Sequence, residues 1–197
     1  MAERMSSTVM DQMFLTARTQ NKWLAKDVTD AQLREIVEIA RMGATSANTQ
    51  PGRFLFIKSA AAKEKLKPLL SEGNREKAMS APVICVVAHD MMFYENLPRT
   101  FPHRPQMKDG FVGKTAFIES TAFRNGTLQG AYLMLAARLC GLDTGGMSGF
   151  DNAGVDAAFF AGTEWRSNFL INIGYGDPTG VMQRLPRLAF DEYAKIV

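Results

Sequence analysis

Residues 42–53 read Met-Gly-Ala-Thr-Ser-Ala-Asn-Thr-Gln-Pro-Gly-Arg and connect an amphipathic helical pattern to the apolar run Phe54-Leu55-Phe56-Ile57. Gly43 is expected to end the helix, because glycine adopts positive φ at little steric cost. Pro51 prevents a helix from resuming and favours an extended conformation for Gln50. Polar loops between rigid elements often bind ligands, but ordinary helix-to-strand connections have the same composition. Both interpretations of this loop stay open at this point.

The elements around this loop indicate a protein that mixes helices and strands. Thr29 begins a capping-box pattern that predicts the start of the preceding helix. Strands are predicted at 54–58, 83–88 and 165–173, and the second, apolar on both faces, is expected in the middle of the sheet. The longest helical pattern covers 116–139, where many small residues predict a central or dimer-forming helix.

The overall composition indicates one globular domain over residues 1–197. Apolar residues make up 46% and charged residues 22%, which is ordinary for a folded domain. The net charge is +3, but the basic residues are scattered, so no nucleic-acid partner is expected. No apolar window is long enough to span a membrane, and the N-terminus lacks the apolar core of a signal peptide. These features predict a cytoplasmic protein.

Cysteine and histidine usage argues against a metal site and against a serine hydrolase. Cys85 and Cys140 each lie in an apolar setting and are expected to be buried free thiols. His89 and His103 are isolated, so the spacing of a zinc or haem site is missing. The chain also has no Gly-x-Ser-x-Gly motif. The expected metal content is therefore none.

Two segments lack a regular pattern. Residues 91–115 hold three prolines and several aromatic residues, and are interpreted either as a lid over a ligand or as a surface insertion with locally packed aromatics. Residues 142–151 hold three glycines within five positions, which predicts a loop whose backbone approaches another group closely. The glycines at 174–180 resemble a dinucleotide fingerprint, but too little chain follows for a crossover helix and a second strand.

What remains is a distributed pattern of polar or glycine-rich loops, at 45–50, 74–77 and 145–149, with basic residues near both ends of the chain. A flavin mononucleotide would need such parts: cations for its phosphate, polar groups for the pyrimidine edge and bare backbone against the ring. The pattern alone does not distinguish flavin from other nucleotides.

Six short segments, in this order along the chain, resemble the nitroreductase family of flavoproteins. They are Ala17-Arg18-Thr19, Gly43-Ala44-Thr45-Ser46-Ala47-Asn48, Leu70-Ser71-Glu72-Gly73-Asn74, Thr121-Ala122-Phe123-Arg124-Asn125, Met147-Ser148-Gly149-Phe150-Asp151 and Arg184-Leu185-Pro186. Within the family, the resemblance is strongest to the branch that reduces malonic semialdehyde in pyrimidine degradation.

The resemblance implies an α+β fold in which helices flank a central, mostly antiparallel sheet. It also implies a homodimer with FMN between the subunits, NADH or NADPH as co-substrate, and a small oxidised molecule as substrate. If segment 91–115 is a lid, the first of its two interpretations, it would close over the flavin and limit the cavity to small molecules. Its candidates to meet a substrate carboxylate are Arg99, Arg104 and Lys108. The resemblance assigns no side chain as a catalytic group, since the flavin carries the chemistry.

The resemblance also implies which residues bind the cofactor. Arg18 and Arg184 would hold the phosphate. Asn74 and Lys77 would face the pyrimidine part of the ring. The other residues implied in cofactor binding are Thr19, Gln20, Thr45, Ser46, Asn48, Gly146, Met147, Ser148 and Gly149. Those at 146–149 would line one face of the flavin, and those at 45–48 would come from the partner subunit.

Three departures from the family pattern bear on charge. The chain has Arg18-Thr19-Gln20 where many relatives have Arg-x-Ser. Its Met182-Gln183-Arg184 contains one cation fewer than the family's C-terminal Lys-x-Arg. Ser148 stands where many relatives have a glutamate beside the reactive edge of the flavin. The departures predict altered phosphate contacts and a less negative active site.

Overall fold

The computed structural model describes residues 3–197, and within them it contains one four-stranded sheet in the order β1-β2-β4-β3. The strands are β1 Gly52–Ile57, β2 Val83–Asp90, β3 Asp143–Met147 and β4 Trp165–Gly174. Each neighbouring pair of these strands is antiparallel. The predicted antiparallel sheet is confirmed, and β2 lies inside it as expected.

Helices cover both faces of the sheet. They are α1 Ser7–Met10, α2 Asp30–Ala40, α3 Ala60–Leu66, α4 Glu72–Ser80, α5 Leu97–Thr100, α6 Thr115–Leu139, α7 Asn152–Phe159 and α8 Phe190–Tyr193. The capping box at Thr29 is present, with Gln32 as its second member. Among the described residues, no helix is both long and apolar enough to cross a membrane.

The alternation of side chains along β2 divides the core into two layers. Cys85 and Val87 pack with α2 and α6 on one face of the sheet, whereas Ile84 and Val86 pack with α3 and α7 on the other. Successive residues of a strand point to opposite faces, so the apolar part of β2, residues 83–88, must be covered on both sides. All eight residues of β2 are buried accordingly.

The small residues of α6 serve contact with the sheet. A Cβ atom at Gly130 would lie 2.6 Å from the ring of Phe169, and one at Gly126 would lie 2.9 Å from Cβ of His89. Glycine at these two positions therefore lets α6 lie directly on β2 and β4. The central position predicted for this helix is confirmed.

Two elements differ from the sequence-based expectation. The predicted polar loop at 74–77 lies within α4. Among the described residues of this helix only Ala78 is buried, so the helix has no apolar stripe that sequence could reveal. The glycine-rich segment contains the edge strand β3 in addition to a loop, because its backbone pairs with β4 from Asp143 to Met147. Glycine has weak strand preference, and this strand depends on pairing with its neighbour.

The loop at 42–53 also differs in detail. Gly43 is not among the residues with positive φ; its lack of a side chain instead leaves room for the ring of Tyr132, which would lie 2.2 Å from a Cβ atom there. Gln50 has φ of 44° rather than an extended conformation, and Ala47 and Asn48 also have positive φ. The loop is therefore held by tertiary contacts against local preference.

Segment 91–115 is folded, with short helical turns on both sides of α5. Phe93, Tyr94 and Phe111 form a separate apolar cluster with Ile118 and Ala122 of α6. The rings of Phe93 and Phe111 meet edge to face at 5.0 Å. This geometry supports locally packed aromatics, one of the two interpretations of the segment.

Smaller corrections concern the chain ends and one cysteine. Helical spacing of apolar residues predicts a helix at 10–18, where the structure has α1 followed by a short π-helix, Asp11–Leu15. A last short helix is predicted at 190–196, and α8 covers only its first part. Cys85 is buried, as expected, but Cys140 is only partly buried. Burial raises the pKa of the Cys85 thiol, so the thiol is protonated and unreactive at neutral pH.

Candidate functional site

An arginine-rich cavity of about 430 Å³ lies where the two ends of the chain meet. Its charged lining consists of Arg18, Arg138, Arg184 and Arg187. Thr19 also contributes to the lining. Arg18 and Arg184, predicted as a pair from the resemblance, therefore share one cavity in the folded chain.

Backbone carbonyls hold these arginines in place. Arg184 Nη2 donates hydrogen bonds to the carbonyl oxygens of Leu15 and Ala17, at 2.8 and 3.1 Å, and Arg18 donates to the carbonyl of Met182. An arginine has five N–H donors, so these bonds leave others for an anion. The N-terminal segment and the C-terminal tail are thus joined by the cations of the cavity.

Arg138 was not predicted as part of this site. It lies in the last turn of α6, and its Nη1 donates to the carbonyl of Met13 at 2.8 Å. Burial lowers the pKa of its guanidinium, and the nearby Asp143 acts in the opposite direction. Arginine remains charged at neutral pH in spite of such shifts. Arg138 could be found only from the packing of α6 against the N-terminal segment.

Strand β3, whose glycines form the glycine wall, contacts Gln20, the residue that follows Thr19 of the cavity lining. The backbone N–H of Gln20 donates to the carbonyl of Thr144 at 3.1 Å. A Cβ atom at Gly145 would lie only 2.5 Å from the carbonyl oxygen of Gln20. Gly146 is exposed, whereas Met147 is 7% exposed and packs in the core. The predicted contribution of Met147 can therefore come only from its backbone.

The loop after β3 is joined to the start of α4. The carbonyl oxygen of Gly149 accepts hydrogen bonds from the Ser71 backbone at 3.0 Å and from Asn74 Nδ2 at 2.8 Å. A side chain at position 149 would collide with Asn74 Nδ2, at 2.6 Å from the added Cβ. Asn74 and Gly149, both predicted site residues, are therefore adjacent. Ser148 beside them is exposed.

Lys77 lies one turn after Asn74, at the end of α4. Its backbone carbonyl accepts hydrogen bonds from Trp23 Nε1 and from Asn172 Nδ2, both at 3.1 Å. Asn172 faces Gly145 across the pairing of β4 with β3. The structure therefore connects Lys77 to the strand that carries the glycines.

These residues fit FMN by their chemistry. The arginine-rich cavity suits a dianionic phosphate, and the amide of Asn74 and the ammonium of Lys77 suit a polar ring edge. The exposed Gly146 offers backbone without a side chain, and the nearest atom to a Cβ there would be Met134 Cε at 3.7 Å. Such bare strand backbone permits close approach of a planar group.

The remaining predicted residues lie elsewhere in the chain. The loop that contains Thr45, Ser46 and Asn48 leads into β1, at the opposite edge of the sheet from β3. It lines a separate cavity of about 340 Å³ that shares none of the residues lining the arginine-rich cavity. Within the described residues, the fold does not bring the two groups together.

Polar residues of α6 hold this loop. Asn125 Oδ1 accepts from the Ser46 backbone at 2.8 Å, and Gln129 Oε1 accepts from the Gly52 backbone at 2.7 Å. Both side chains are buried, at 2% and 6% exposure. Their role was not predicted, because a polar residue on a helix has no evident partner in the sequence.

Comparison with known proteins identifies a family over most of the chain. Residues 16–175 match the family described as the nitroreductase family. A Burkholderia lata protein, provisionally named an NADH dehydrogenase/NAD(P)H nitroreductase, is 57% identical over 192 residues that cover 98% of each chain. HadB of Ralstonia pickettii, with the same provisional description, is 55% identical over 91% of this chain and 93% of its own.

Solved structures show the same fold at lower identity. A nitroreductase-type protein from Exiguobacterium sibiricum, solved in complex with FMN, superposes with a TM-score of 0.87 at 20% identity and full coverage of both chains. An enone reductase of gut-bacterial fatty acid metabolism superposes with a TM-score of 0.83 at 17% identity, over 98% of this chain and 99% of that one. From the family match and these relatives together, the chain belongs to the nitroreductase family.

Proposed function

We propose that this chain, an FMN-dependent NAD(P)H oxidoreductase, reduces malonic semialdehyde to 3-hydroxypropionate. The observation that carries the substrate assignment is Ser148, an exposed neutral residue next to the Asn74–Gly149 contact. The family resemblance implies a glutamate at this position in many relatives, and its carboxylate would repel an anionic substrate. The second candidate is a general reductase of nitroaromatic compounds or quinones, which the names of the relatives favour.

The residues of this chain would bind and orient the reactants and stabilise their negative charge. Bound FMN supplies the redox chemistry, because it can take a hydride from NAD(P)H and give one to an oxidised substrate. Arg18 and Arg184 would hold the phosphate, and Lys77 would stabilise negative charge on the ring. NAD(P)H and the aldehyde would use the same open face in turn, which implies ping-pong kinetics. Solvent would supply the proton that completes the alcohol.

Turnover distinguishes this proposal from a flavin-binding protein without activity. We expect the purified protein to show the absorption bands of bound FMN and to lose them when NADH or NADPH is added without oxygen. Malonic semialdehyde should then restore the bands. Persistent absorption after both coenzymes have been added would indicate binding without turnover and would contradict the proposal.

The three predicted candidates in segment 91–115 differ in how far neighbouring side chains already engage them. Arg99 donates to Asn96 Oδ1 at 3.0 Å and Lys108 pairs with Glu95 at 3.3 Å. Arg104 is exposed, and its side chain forms no hydrogen bond or ion pair within residues 3–197. We therefore favour Arg104 among the three, since its guanidinium is not already engaged by a neighbouring side chain.

This segment is connected to the polar loop that precedes β1. Asn48 Nδ2 donates to the carbonyl of Thr100 at 2.7 Å, close to Arg104 in sequence. If the loop of one subunit reaches the flavin of its partner, segment 91–115 arrives at the same site. This arrangement supports a lid function in addition to the local packing described above.

Substitution of Ser148 by glutamate is expected to raise KM for malonic semialdehyde several-fold. The added carboxylate would repel the substrate carboxylate and would have less effect on neutral substrates. Steady-state kcat/KM should be measured for malonic semialdehyde, a neutral aldehyde of similar size and a quinone. Ser148→Gln serves as the control, because it adds similar volume without charge.

The Arg104→Gln variant should have a lower kcat/KM for malonic semialdehyde and unchanged values for the neutral aldehyde and the quinone. Two results together would refute the assignment and favour the general reductase. They are equal activity of the wild type on the two aldehydes, and an equal penalty of Ser148→Glu on all three substrates.

The homodimer is proposed because the chain by itself separates the predicted site residues. The loop at 45–48 and the glycine wall lie at opposite edges of one sheet, so the loop could approach FMN only from a second copy. The structure also leaves large apolar side chains exposed on α6, including Phe117, Phe123 and Leu128 at 42–52% exposure. Exposed apolar patches of this kind are typical of protein interfaces.

Sedimentation should give about twice the chain mass of 21.8 kDa at every concentration at which the protein is active. Leu128→Glu should weaken the dimer and release FMN, because a charge on this face would have to be buried. Ile39→Glu, a matched change at an exposed apolar residue of α2, should do neither. A stable, FMN-loaded and active monomer would contradict the proposal.

A further inference from the structure

Helix α4 carries two predicted flavin contacts but is weakly attached to the core. Within this helix, as the structure describes it, Ala78 is the only fully buried residue, and the other side chains are mostly polar or charged. A single methyl group buries little apolar surface, so hydrophobic packing does little to fix the helix in place. The positions of Asn74 and Lys77 must therefore be set mainly by polar contacts.

Two carbonyl oxygens supply these contacts, one near the start of α4 and one at Lys77 in its last turn. At the N-terminal end, the Gly149 carbonyl accepts from Ser71 and Asn74. At the C-terminal end, the Lys77 carbonyl accepts from Trp23 Nε1 and Asn172 Nδ2, each at 3.1 Å. These two donors are 54 and 95 positions away from Lys77 in the chain.

The Lys77 carbonyl needs donors from outside the regular helical ladder. The N–H of Ala81, which could continue the helical pattern, bonds to Ala78 instead, and Ser80 Oγ reaches the Lys77 carbonyl only at 3.4 Å. Carbonyls in the last turn of a helix lack intrahelical partners and are satisfied by other groups. Trp23 and Asn172 provide this cap from two separate parts of the fold.

The burial of Asn172 costs stability, which indicates that its side chain is kept for the cap. It is fully buried on β4, and its Oδ1 has no hydrogen-bond partner in the described part of the chain. An unsatisfied buried oxygen opposes the stability that its amide gains by capping. Apolar residues surround it on the strand, with Ile171 and Ile173 both buried.

We propose that Trp23 and Asn172 are positioning residues that hold the Lys77 ammonium against the pyrimidine edge of the flavin. The inference rests on the proposed function, since it takes Lys77 to be a flavin contact. A cation held there binds the reduced, more negative form of FMN better than the oxidised form. A shift of the helix end would weaken this preference without removing any group that touches the flavin.

The test compares the midpoint potential of bound FMN in Lys77→Met, Trp23→Phe and Asn172→Leu. We expect Lys77→Met to reduce the preference for reduced FMN by about tenfold, or about 30 mV for a two-electron couple, and each cap variant to reduce it by about threefold. Once Lys77 is methionine, adding either cap change should produce no further shift, because linked residues are not additive.

The matched control is Asn168→Leu on the same strand. Asn168 Nδ2 donates to Thr127 Oγ1 at 2.7 Å and makes no hydrogen bond to α4 among the described residues. The Asn168→Leu variant should leave the midpoint potential of bound FMN unchanged. Urea unfolding of all variants separates loss of stability from the change in potential, and Trp23→Phe retains the test if Asn172→Leu does not fold.

The outcomes separate this inference from the proposed function. Two results would refute the inference and make the cap only structural. In the first, Lys77→Met shifts the midpoint potential and the cap variants do not. In the second, each cap change shifts the potential by the same amount whether residue 77 is lysine or methionine. If Lys77→Met itself has no effect, Lys77 is not a flavin contact, and that part of the proposed site fails together with the inference.

Discussion

Replacing Arg18 by alanine is expected to weaken FMN binding by about tenfold or more while leaving riboflavin binding nearly unchanged. Arg18 lines the arginine-rich cavity together with Arg184 and Arg138. A hydrogen bond between charged groups contributes about 1.5–3 kcal/mol, and about 1.4 kcal/mol corresponds to a factor of ten in Kd. Riboflavin lacks the phosphate, so it does not use this interaction.

The measurement is a flavin fluorescence titration of the apoprotein with each ligand. Arg34→Ala is the control, because Arg34 is exposed and lines neither the arginine-rich cavity nor the cavity beside the loop at 45–48. The riboflavin titration also accounts for the bond from Arg18 to Met182, since a loosened tail would affect both ligands. An equal loss for FMN and riboflavin would mean that Arg18 does not meet the phosphate.

Gly145→Ala is expected to destabilise the apoprotein by about 1–3 kcal/mol, the usual cost of forcing an extra group into a packed site. The added Cβ would lie 2.5 Å from the carbonyl oxygen of Gln20. This neighbour is backbone, and the Gln20 N–H already bonds to Thr144, so the segment cannot turn aside without breaking that bond. The displaced segment includes Arg18, so FMN affinity should fall as well.

Gly146→Ala, one residue further along β3, separates stability from cofactor binding. Its added Cβ would lie 3.7 Å from Met134 Cε, an ordinary van der Waals distance, so apoprotein stability should change little. FMN affinity should fall, because the new methyl group projects where the flavin is proposed to lie. Urea unfolding of the two apoproteins gives the comparison, and equal unfolding free energies would show that the approach of Gln20 is not restrictive.

Where structure follows from local pattern, sequence reasoning was sufficient. The capping box at Thr29 and the buried strand β2 were both predicted, because each depends on residue types at fixed short spacing. Helix α4 and strand β3 were not predicted, since α4 has almost no apolar face and β3 contains two adjacent glycines. Both elements are held by bonds to parts of the chain that are distant in sequence.

The residues of the candidate site also fall into two groups, those found from sequence motifs and those found from the structure. Arg18, Asn74 and Ser148 were identified because they stand in ordered motifs that resemble the nitroreductase family. Arg138 and Asn172 belong to no such motif, and their relation to the site arises from hydrogen bonds to Met13 and Lys77. A side chain that acts through a distant backbone group leaves no local signal.

By itself, the sequence determined the residue types available for a phosphate and a flavin ring, since these depend on composition and short-range spacing. The fold class and the family were available from it only through the ordered motifs that resemble the nitroreductase family. Only the tertiary structure decided that the loop at 45–48 lies across the sheet from β3, and that Gly43 is required by the ring of Tyr132 rather than by positive φ. The physical reason is that close approach and hydrogen-bond partnership are properties of pairs of residues, and chain closure chooses those pairs.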